Sequence, residues 1–229
     1  MIWSMRYPGG KGKCYQRLIN MMPPHKTYIE SHLGGGAALR HKAPAERNIG
    51  IDACPNVISL WNQLYPDLCE TVQADAADYI SEFRFSGNEL IYADPPYLAS
   101  TRRRPKIYAH EYRTTDHERL IRVLRNAPCL VMISGYENDL YNDALSGWRK
   151  ERFFAKTHVG LREECVWLNF NPPTQLHDSS HLGANFRERQ NIKRRQSRLR
   201  ERIEGMPPLE REQLLCWLNE TYGNRLTEN

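Results

Sequence analysis

Four consecutive residues, Asp94-Pro95-Pro96-Tyr97, have the types and the order needed to hold a planar amine. They follow an apolar run, residues 90–93, that is typical of a buried strand. The prolines prevent a helix from starting here, so the acid and the ring are expected at the carboxyl edge of a sheet, where open α/β folds bind ligands. The Asp94 carboxylate and the Pro95 carbonyl can accept both N–H bonds of an amino group, while Tyr97 offers a face for stacking. A plain turn after a strand is the alternative, so the interpretation depends on what accompanies the motif.

A second set of residues is typical of a nucleotide-binding crevice. Gly34-Gly35-Gly36 follow a strand pattern over 27–33 and precede a helix pattern, which lets backbone approach a ligand closely. Asp52 ends the second predicted strand, where α/β nucleotide folds place a carboxylate for ribose hydroxyls. Asp75 ends the third, where its side chain could reach an adenine amine. The alternative for both acids is to cap the helices that follow.

The elements that must position these residues alternate between strand and helix. Strand patterns cover residues 27–33, 48–52, 72–75, 90–94, 129–134, 153–158 and 164–170, and helix patterns cover 55–64 and 115–125. This alternation predicts an α/β fold, a doubly wound Rossmann-like sheet with mostly parallel strands, over residues 1–175. Helix patterns over 186–203 and 210–222 predict a basic helical C-terminal extension, residues 183–229, after a proline-containing linker.

Composition favours a folded protein with reduced thiols. Of the 229 residues, 40% are hydrophobic and 26% are charged, which is compatible with a buried core. The six cysteines include no C-x-x-C pair, and no secretory signal or membrane-length apolar stretch is present, so a cytoplasmic protein with no membrane association is expected. His177 and His181 are spaced i, i+4, but no second pair of ligands accompanies them, so no metal site is predicted.

Positive charge is concentrated near the carboxyl end. Residues 187–202 contain eight Arg or Lys against two Glu, so their net charge of +6 exceeds the +5 of the whole chain. A charge run is usually a solvated face, but this one-sided sign favours contact with DNA phosphates. The residues predicted to make such contacts are Arg187, Lys193, Arg194, Arg195 and Arg198, together with Arg102, Arg103 and Arg104 beyond the Asp94 motif.

Several motifs occur in one order that resembles a known family. Tyr7-Pro8-Gly9-Gly10-Lys11, the segment 30–36, Asp52 with Asn56, and Asp94 to Tyr97 are similar to the Dam-type DNA adenine-N6 methyltransferases, which use S-adenosylmethionine. Arg162-Glu163-Glu164 before residues 166–169 also resembles that family, and the similarity covers residues 5–172. The fold that this resemblance implies is a methyltransferase sheet.

The resemblance implies a role for each matching residue. Tyr7 and Lys11 would contact the cofactor, Glu30 with Gly34, Gly35 and Gly36 would form its loop, Asp52 would bind its ribose, and Asp75 would bind its adenine. Asp94, Pro95, Pro96 and Tyr97 would hold an adenine flipped out of double-stranded DNA. The expected function is site-specific or relaxed-specificity methylation of the N6 amine.

Two departures from the family pattern leave alternatives open. Ser31-His32 stand where the family usually has Pro-Phe, which keeps open a catalytically impaired, methylase-like DNA-binding module. Only 57 residues, 37–93, separate the glycines from Asp94, so the family's inserted recognition domain is missing. Specificity would then come from the extension, from the 98–114 loop, or from neither, as in a short enzyme of a bacterial or phage-infected cell. An RNA or protein-amide methyltransferase is the other alternative, and the extension also offers apolar positions for a homodimer.

Overall fold

The structure of this protein is a computed structural model that describes residues 12–102, 110–157 and 160–223. The chain divides into two compact units, Met1–Asp178 and Ser179–Asn229.

A mixed sheet forms the centre of the first unit. Its strands are β1 (Thr27–Glu30), β2 (Arg47–Asp52), β3 (Glu70–Gln73), β4 (Glu89–Ala93), β5 (Leu130–Gly135), β6 (Arg149–Thr157) and β7 (Gly160–Leu168). Among the described residues their order is β3-β2-β1-β4-β5-β7-β6. Strands β1 to β5 pair in parallel, whereas β7 runs antiparallel to both β5 and β6. The doubly wound, Rossmann-like α/β sheet predicted from the sequence is therefore confirmed.

The chain reverses its direction of winding between β1 and β4. From β1 it proceeds outward to β2 and β3, then returns to pair β4 with the other side of β1 and continues to β5. The carboxyl ends of β1 and β4 thus flank a topological switch point, which is where open α/β sheets bind ligands.

Helices cover both faces of the sheet, which explains the continuous apolar runs of its strands. In the first unit they are α1 (Tyr15–Ile19), α2 (Ala37–His41), α3 (Pro55–Leu64), α4 (Ala76–Glu82), α5 (Thr114–Asn126) and α6 (Asp139–Ala144). Alternate residues enter opposite cores: Tyr28 and Leu90 join the α2 and α3 side, whereas Ile29 and Ile91 join the α4 and α5 side.

The described part of the second unit contains two helices, α7 (Phe186–Glu204) and α8 (Pro208–Tyr222). Asn185 caps α7 by accepting a hydrogen bond from the Glu188 amide at 2.9 Å. Neither helix contains a buried residue. In the described parts of the chain, no helix combines the length and the apolar character needed to cross a membrane.

Candidate functional site

The glycine loop after β1 has a backbone that only glycine adopts readily. Gly34 and Gly36 have φ angles of +44° and +53°, and Gly35 lies between them. A Cβ atom on Gly36 would overlap the ring of Trp61, a fully buried residue of α3. The Trp61 indole N–H also donates to the Gly34 carbonyl at 2.9 Å. Two glycines and one tryptophan therefore fix the loop at the carboxyl end of β1.

Asp52 at the end of β2 binds the same loop. Its Oδ2 accepts from the Gly34 amide at 2.9 Å, and its Oδ1 accepts from the Cys54 amide at 2.8 Å. Burial raises the pKa of Asp52, and the two amide bonds oppose that rise. Each carboxylate oxygen keeps a further lone pair, so Asp52 can hold the loop and still accept a ligand hydroxyl.

Glu30 supports the loop from behind. Its Oε2 accepts from the Tyr28 hydroxyl and from the Leu39 amide, both at 3.0 Å. The residue is 3% exposed, and burial raises its pKa to about 8. The observed contacts of Glu30 thus brace α2, the helix that the glycine loop begins.

Asp75 acts as the N-cap of α4. Its Oδ1 accepts from the amides of Ala77 and Asp78 at 3.0 and 3.1 Å, and Arg119 of α5 lies 3.4 Å from the same oxygen. This is the capping alternative recognised in the sequence. Its contact with a cofactor adenine stays a prediction.

Asp94 lies directly beyond β4, beside the start of the glycine loop. Glu30 pairs in register with Tyr92, and the Ser31 amide donates to the Tyr92 carbonyl at 3.0 Å. The Ser134 hydroxyl, at the end of β5, donates to Asp94 Oδ1 at 2.8 Å and lies 3.0 Å from the Tyr92 hydroxyl. A line of hydroxyls along the sheet therefore holds the Asp94 carboxylate.

Tyr97 is held by polar and aromatic contacts. Its hydroxyl donates to Glu164 Oε2 at 3.2 Å, and its ring meets that of Tyr136 at 71° with centroids 4.4 Å apart. The Arg162 guanidinium lies 4.0 Å from the centroid of the Tyr136 ring, an arrangement that favours cation–π attraction. These contacts fix the orientation of the Tyr97 ring, which is 7% exposed.

A small cleft adjoins this motif. Its free volume is about 10 Å³, room for about one water molecule, and it is lined by Pro95, Tyr97, Ser134 and Tyr136, among others. Pro95 is buried and Pro96 half-buried, and Pro95 lines the cleft. The sequence predicts an amine-binding site here. Pro95, Tyr97 and Ser134 line the cleft, and Ser134 in turn binds Asp94.

Ser31 and His32 form a network instead of an apolar contact. The Ser31 hydroxyl lies 3.0 Å from His32 Nδ1, and His32 Nε2 lies 2.9 Å from the Tyr112 hydroxyl. Burial, followed by the nearby His117, lowers the pKa of His32 to about 3. A neutral imidazole with hydrogen-bond partners at both ring nitrogens therefore fills the position where the family pattern has phenylalanine.

The predicted phosphate contact of Arg102 disagrees with the structure. The Arg102 side chain is 3% exposed and pairs with both Glu111 oxygens, at 3.0 and 2.5 Å. A buried guanidinium paired with a carboxylate is costly to release, so Arg102 fastens the residues after the motif and is not presented to DNA. The sequence did not indicate this ion pair because the acidic partner, Glu111, lies nine residues later.

The remaining predicted residues fall into two groups. Tyr7, Lys11, Arg103 and Arg104 lie outside the described residues. All five of the α7 positions predicted to contact DNA are exposed, namely Arg187, Lys193, Arg194, Arg195 and Arg198.

Sequence reasoning missed three residues that support the site. Ser134 was predicted only as the end of a strand and Trp61 only as a residue of the helix 55–64, and Tyr136 was not singled out. The spacing of Val57 and Trp61 on α3 signalled burial, but the bond from Trp61 to Gly34 depends on how α3 packs. The contact of Ser134 with Asp94 likewise depends on the pairing of β4 with β5.

Comparisons with known proteins give weak structural similarity only. No family model matches the sequence, and no curated protein does. An N-methyltransferase, NodS from Bradyrhizobium japonicum, is 12% identical, with 70% of this chain and 96% of that chain covered at a TM-score of 0.49. The 23S rRNA methyltransferase ErmE is 12% identical, with 79% and 82% covered at 0.46. A putative methyltransferase from Streptococcus mutans in complex with SAH is 12% identical, with 67% and 93% covered at 0.45. Similarity at these scores assigns no function, and residues of this chain carry the functional proposal.

Proposed function

We propose that this chain transfers a methyl group from S-adenosylmethionine to the N6 amine of adenine in DNA. The observation that carries the proposal is the position of Asp94, Pro95 and Tyr97 directly beyond the carboxyl end of β4, with the Asp94 carboxylate held by Ser134. The glycine loop after β1 lies across the switch point from them. The resemblance of the sequence to Dam-type enzymes supports the same assignment.

The residues around the loop suit a cationic nucleoside cofactor. Trp61 leaves no room for a side chain at Gly36, so the loop presents its backbone at the crevice. The carboxylates of Asp52 and Asp94 lie at the carboxyl ends of β2 and β4. Asp52 retains lone pairs for ribose hydroxyls, and acidic groups favour a positively charged sulfonium. When bound, S-adenosylmethionine supplies an electrophilic methyl group.

The motif acts on the amine by accepting its protons. The lone pair of the adenine 6-amino group is conjugated with the ring, so the nitrogen is a poor nucleophile. Hydrogen bonds from this amine to the Asp94 carboxylate and the Pro95 carbonyl favour tetrahedral nitrogen and free the lone pair for direct attack. Ser134 keeps Asp94 in position, and Tyr97 stacks on the base. Rate then depends on holding nitrogen and methyl carbon roughly 3–3.5 Å apart and in line.

An adenine in duplex DNA must leave the base stack before it can reach this site. Flipping an adenine costs a few kcal/mol, which stacking on Tyr97 offsets in part. The exposed basic residues of α7 are proposed to supply phosphate contacts, which give affinity without sequence information. An enzyme that lacks an inserted recognition domain is then expected to recognise a short site or many sites.

The test of this proposal is the Asp94→Ala variant compared with Asp94→Asn. We expect transfer of radiolabelled methyl to adenine-containing DNA to fall by about 100- to 1,000-fold in both, because Ala removes the acceptor and Asn replaces one of its two acceptor oxygens by a donor. Calorimetry should show S-adenosylmethionine binding within about threefold of wild type. Near-normal turnover in Asp94→Ala would refute the proposal, and a wild-type protein that binds DNA but no cofactor would be a DNA-binding module instead.

A further inference from the structure

The Tyr97 ring, on which the target base is proposed to stack, is covered in this structure. The residue is 7% exposed, and the cleft that it lines has a free volume of about 10 Å³, room for about one water molecule. An adenine needs far more space than a water molecule. A base can therefore stack on Tyr97 once a neighbouring group has moved, and not before.

Tyr136 is the neighbour best placed to move. Its ring meets the Tyr97 ring at 71° with centroids 4.4 Å apart, and it lines the same cleft. Most residues of the cleft are buried, whereas Tyr136, Leu98 and Asn138 are half-buried. Asn138 is held as the N-cap of α6, because it accepts from the Tyr141 amide at 3.0 Å. Of the three half-buried residues, Tyr136 is the one that places a flat ring against Tyr97.

Tyr97 is held more firmly than its neighbour. It follows Pro95 and Pro96, whose rings restrict the backbone. Its hydroxyl donates to Oε2 of Glu164 at 3.2 Å, and Glu164 is itself buried. Moving Tyr97 would leave that carboxylate without this hydrogen bond, which is costly for a buried charged group.

The Tyr136 side chain is held by ring contacts. Besides the contact with Tyr97, the Arg162 guanidinium lies 4.0 Å from the centroid of the Tyr136 ring. Edge-to-face pairs and cation–π contacts are each of modest strength, and a stacked base can replace the first of them. The Tyr136 carbonyl accepts from Asn138 Nδ2 at 2.8 Å, which anchors the backbone. A rotation of the side chain is then enough to open the site.

We infer that Tyr136 occupies the place of the target base in the free protein and turns aside when a flipped adenine enters. This inference rests on the proposed function and assigns control of base entry to a residue of the β5–α6 connection. The base replaces one aromatic neighbour of Tyr97 by another, so the Tyr97 ring is covered in both states. Without DNA, the arrangement keeps water away from the stacking surface.

Binding of a free nucleoside tests the inference without catalysis. Full-length protein is first saturated with S-adenosylhomocysteine, so that adenosine cannot enter the cofactor crevice, and adenosine is then titrated by calorimetry. Tyr136→Ala should bind adenosine roughly 10-fold more tightly than wild type, because no ring has to be displaced. Tyr136→Phe is the matched control, since it retains the ring and should bind as wild type does. Equal or weaker binding in Tyr136→Ala would overturn the inference.

Two DNA substrates separate this role from a role in extruding the base. One is a duplex that wild type methylates, and the other is the same duplex with an abasic site opposite the target adenine. Displacing Tyr136 costs the same for a paired and an unpaired adenine, so Tyr136→Ala should lower the KM for both duplexes by a similar factor. A higher KM on the paired duplex alone would mean that Tyr136 helps to push the base out, and the inference would be wrong.

Wild-type protein provides a test that does not require the alanine variant to fold. In protein containing 3-fluorotyrosine, the ¹⁹F signal of Tyr136, assigned by its loss in Tyr136→Phe, should shift when adenosine is added to the S-adenosylhomocysteine complex. An unchanged signal at saturating adenosine would contradict displacement of the ring. If Tyr136→Ala binds adenosine more tightly but wild type methylates no DNA adenine, the proposed function is wrong and the covered base site stands. If DNA is methylated and Tyr136→Ala binds adenosine as wild type does, the inference alone is wrong.

Discussion

At the scale of single residues, the position of one carboxylate depends on a hydroxyl contributed by the neighbouring strand. Asp94 follows β4, and its Oδ1 is bound by Ser134 at 2.8 Å. A carboxyl group beyond a strand end can rotate, so a fixed donor restricts which lone pairs face the amine. Preorganisation of this kind contributes to rate more than to ground-state binding.

Ser134→Ala should therefore lower kcat more than it raises any KM. Hydrogen bonds to charged groups contribute about 1.5–3 kcal/mol, so a fall in kcat of roughly 10- to 100-fold is expected with the S-adenosylmethionine Kd unchanged. Steady-state methyl transfer and calorimetry give the two quantities. Ser59→Ala, on the exposed side of α3, is the control; equal losses in both variants would exclude a positioning role for Ser134.

Glu30 makes stability depend on pH. Burial raises its folded pKa to about 8 from an ordinary 4.5, so the folded state binds the proton more tightly than the unfolded state does. The stabilisation is complete below the unfolded pKa and is lost as pH rises through about 8. Between pH 6.5 and pH 8.5 the free energy of unfolding should fall by about 2 kcal/mol more in wild type than in Glu30→Gln.

Urea denaturation at the two pH values measures this difference. Glu46→Gln is the control, because the Glu46 side chain is 72% exposed and should retain the wild-type pH dependence. A Glu30→Gln variant with the same dependence as wild type would show that Glu30 is ionised in the folded protein.

At the scale of elements, the glycine loop joins β1, β2 and α3 into one support for the cofactor crevice. Asp52 binds the Gly34 amide, and Trp61 binds the Gly34 carbonyl. Both atoms of one peptide segment are thus fixed from two different elements. We therefore expect a change in the glycine loop to perturb the packing of α3 as well.

Gly36→Ala should disrupt this unit. The residue has a φ of +53°, and its added Cβ would overlap the Trp61 ring, so strain and overpacking together should lower the free energy of unfolding by about 2–4 kcal/mol. Affinity for S-adenosylmethionine should fall with it. Gly147→Ala, whose Cβ would meet nothing within 4 Å, is the control, and denaturation with calorimetry checks both effects. Wild-type behaviour of Gly36→Ala would show that the loop adapts.

The sequence predicted elements that are long or whose ends are marked by proline or glycine, and it missed short ones. The predicted bounds of α3, 55–64, match the structure because Pro55 marks its start. Helices α1, α4 and α6 have five to seven residues, too few for a periodic pattern, and their stability depends on tertiary packing. The location of Asp94 followed from local chemistry, whereas the partners Ser134 and Glu111 depend on strand pairing and loop closure that no local pattern contains.

At the scale of the whole molecule, charge and burial are divided between the two units. The first has cores on both faces of its sheet, and α7 and α8 of the second contain no buried residue. Residues 187–202 contribute a net charge of +6 to a chain of +5, so the other residues are close to neutral together. A helix with this charge is suited to track a phosphate backbone.

Replacing Arg194, Arg195 and Arg198 by Gln should therefore weaken DNA binding and reduce its salt dependence. Each lost phosphate contact lowers the slope of log K against log salt by about 0.9, so three should lower it by about 3. Fluorescence anisotropy with labelled duplex at several salt concentrations measures the slope, independently of any methyl transfer.

The matched control removes three exposed arginines from the first unit, Arg84, Arg122 and Arg125, and changes net charge by the same amount. If overall charge alone attracts DNA, the slope of log K against log salt should fall equally in both triple variants. If α7 makes the phosphate contacts, the slope should fall only in the α7 variant, and the control variant should bind DNA as wild type does. Equal slopes in wild type and the α7 variant would remove this helix from the interface and leave phosphate contacts to the first unit.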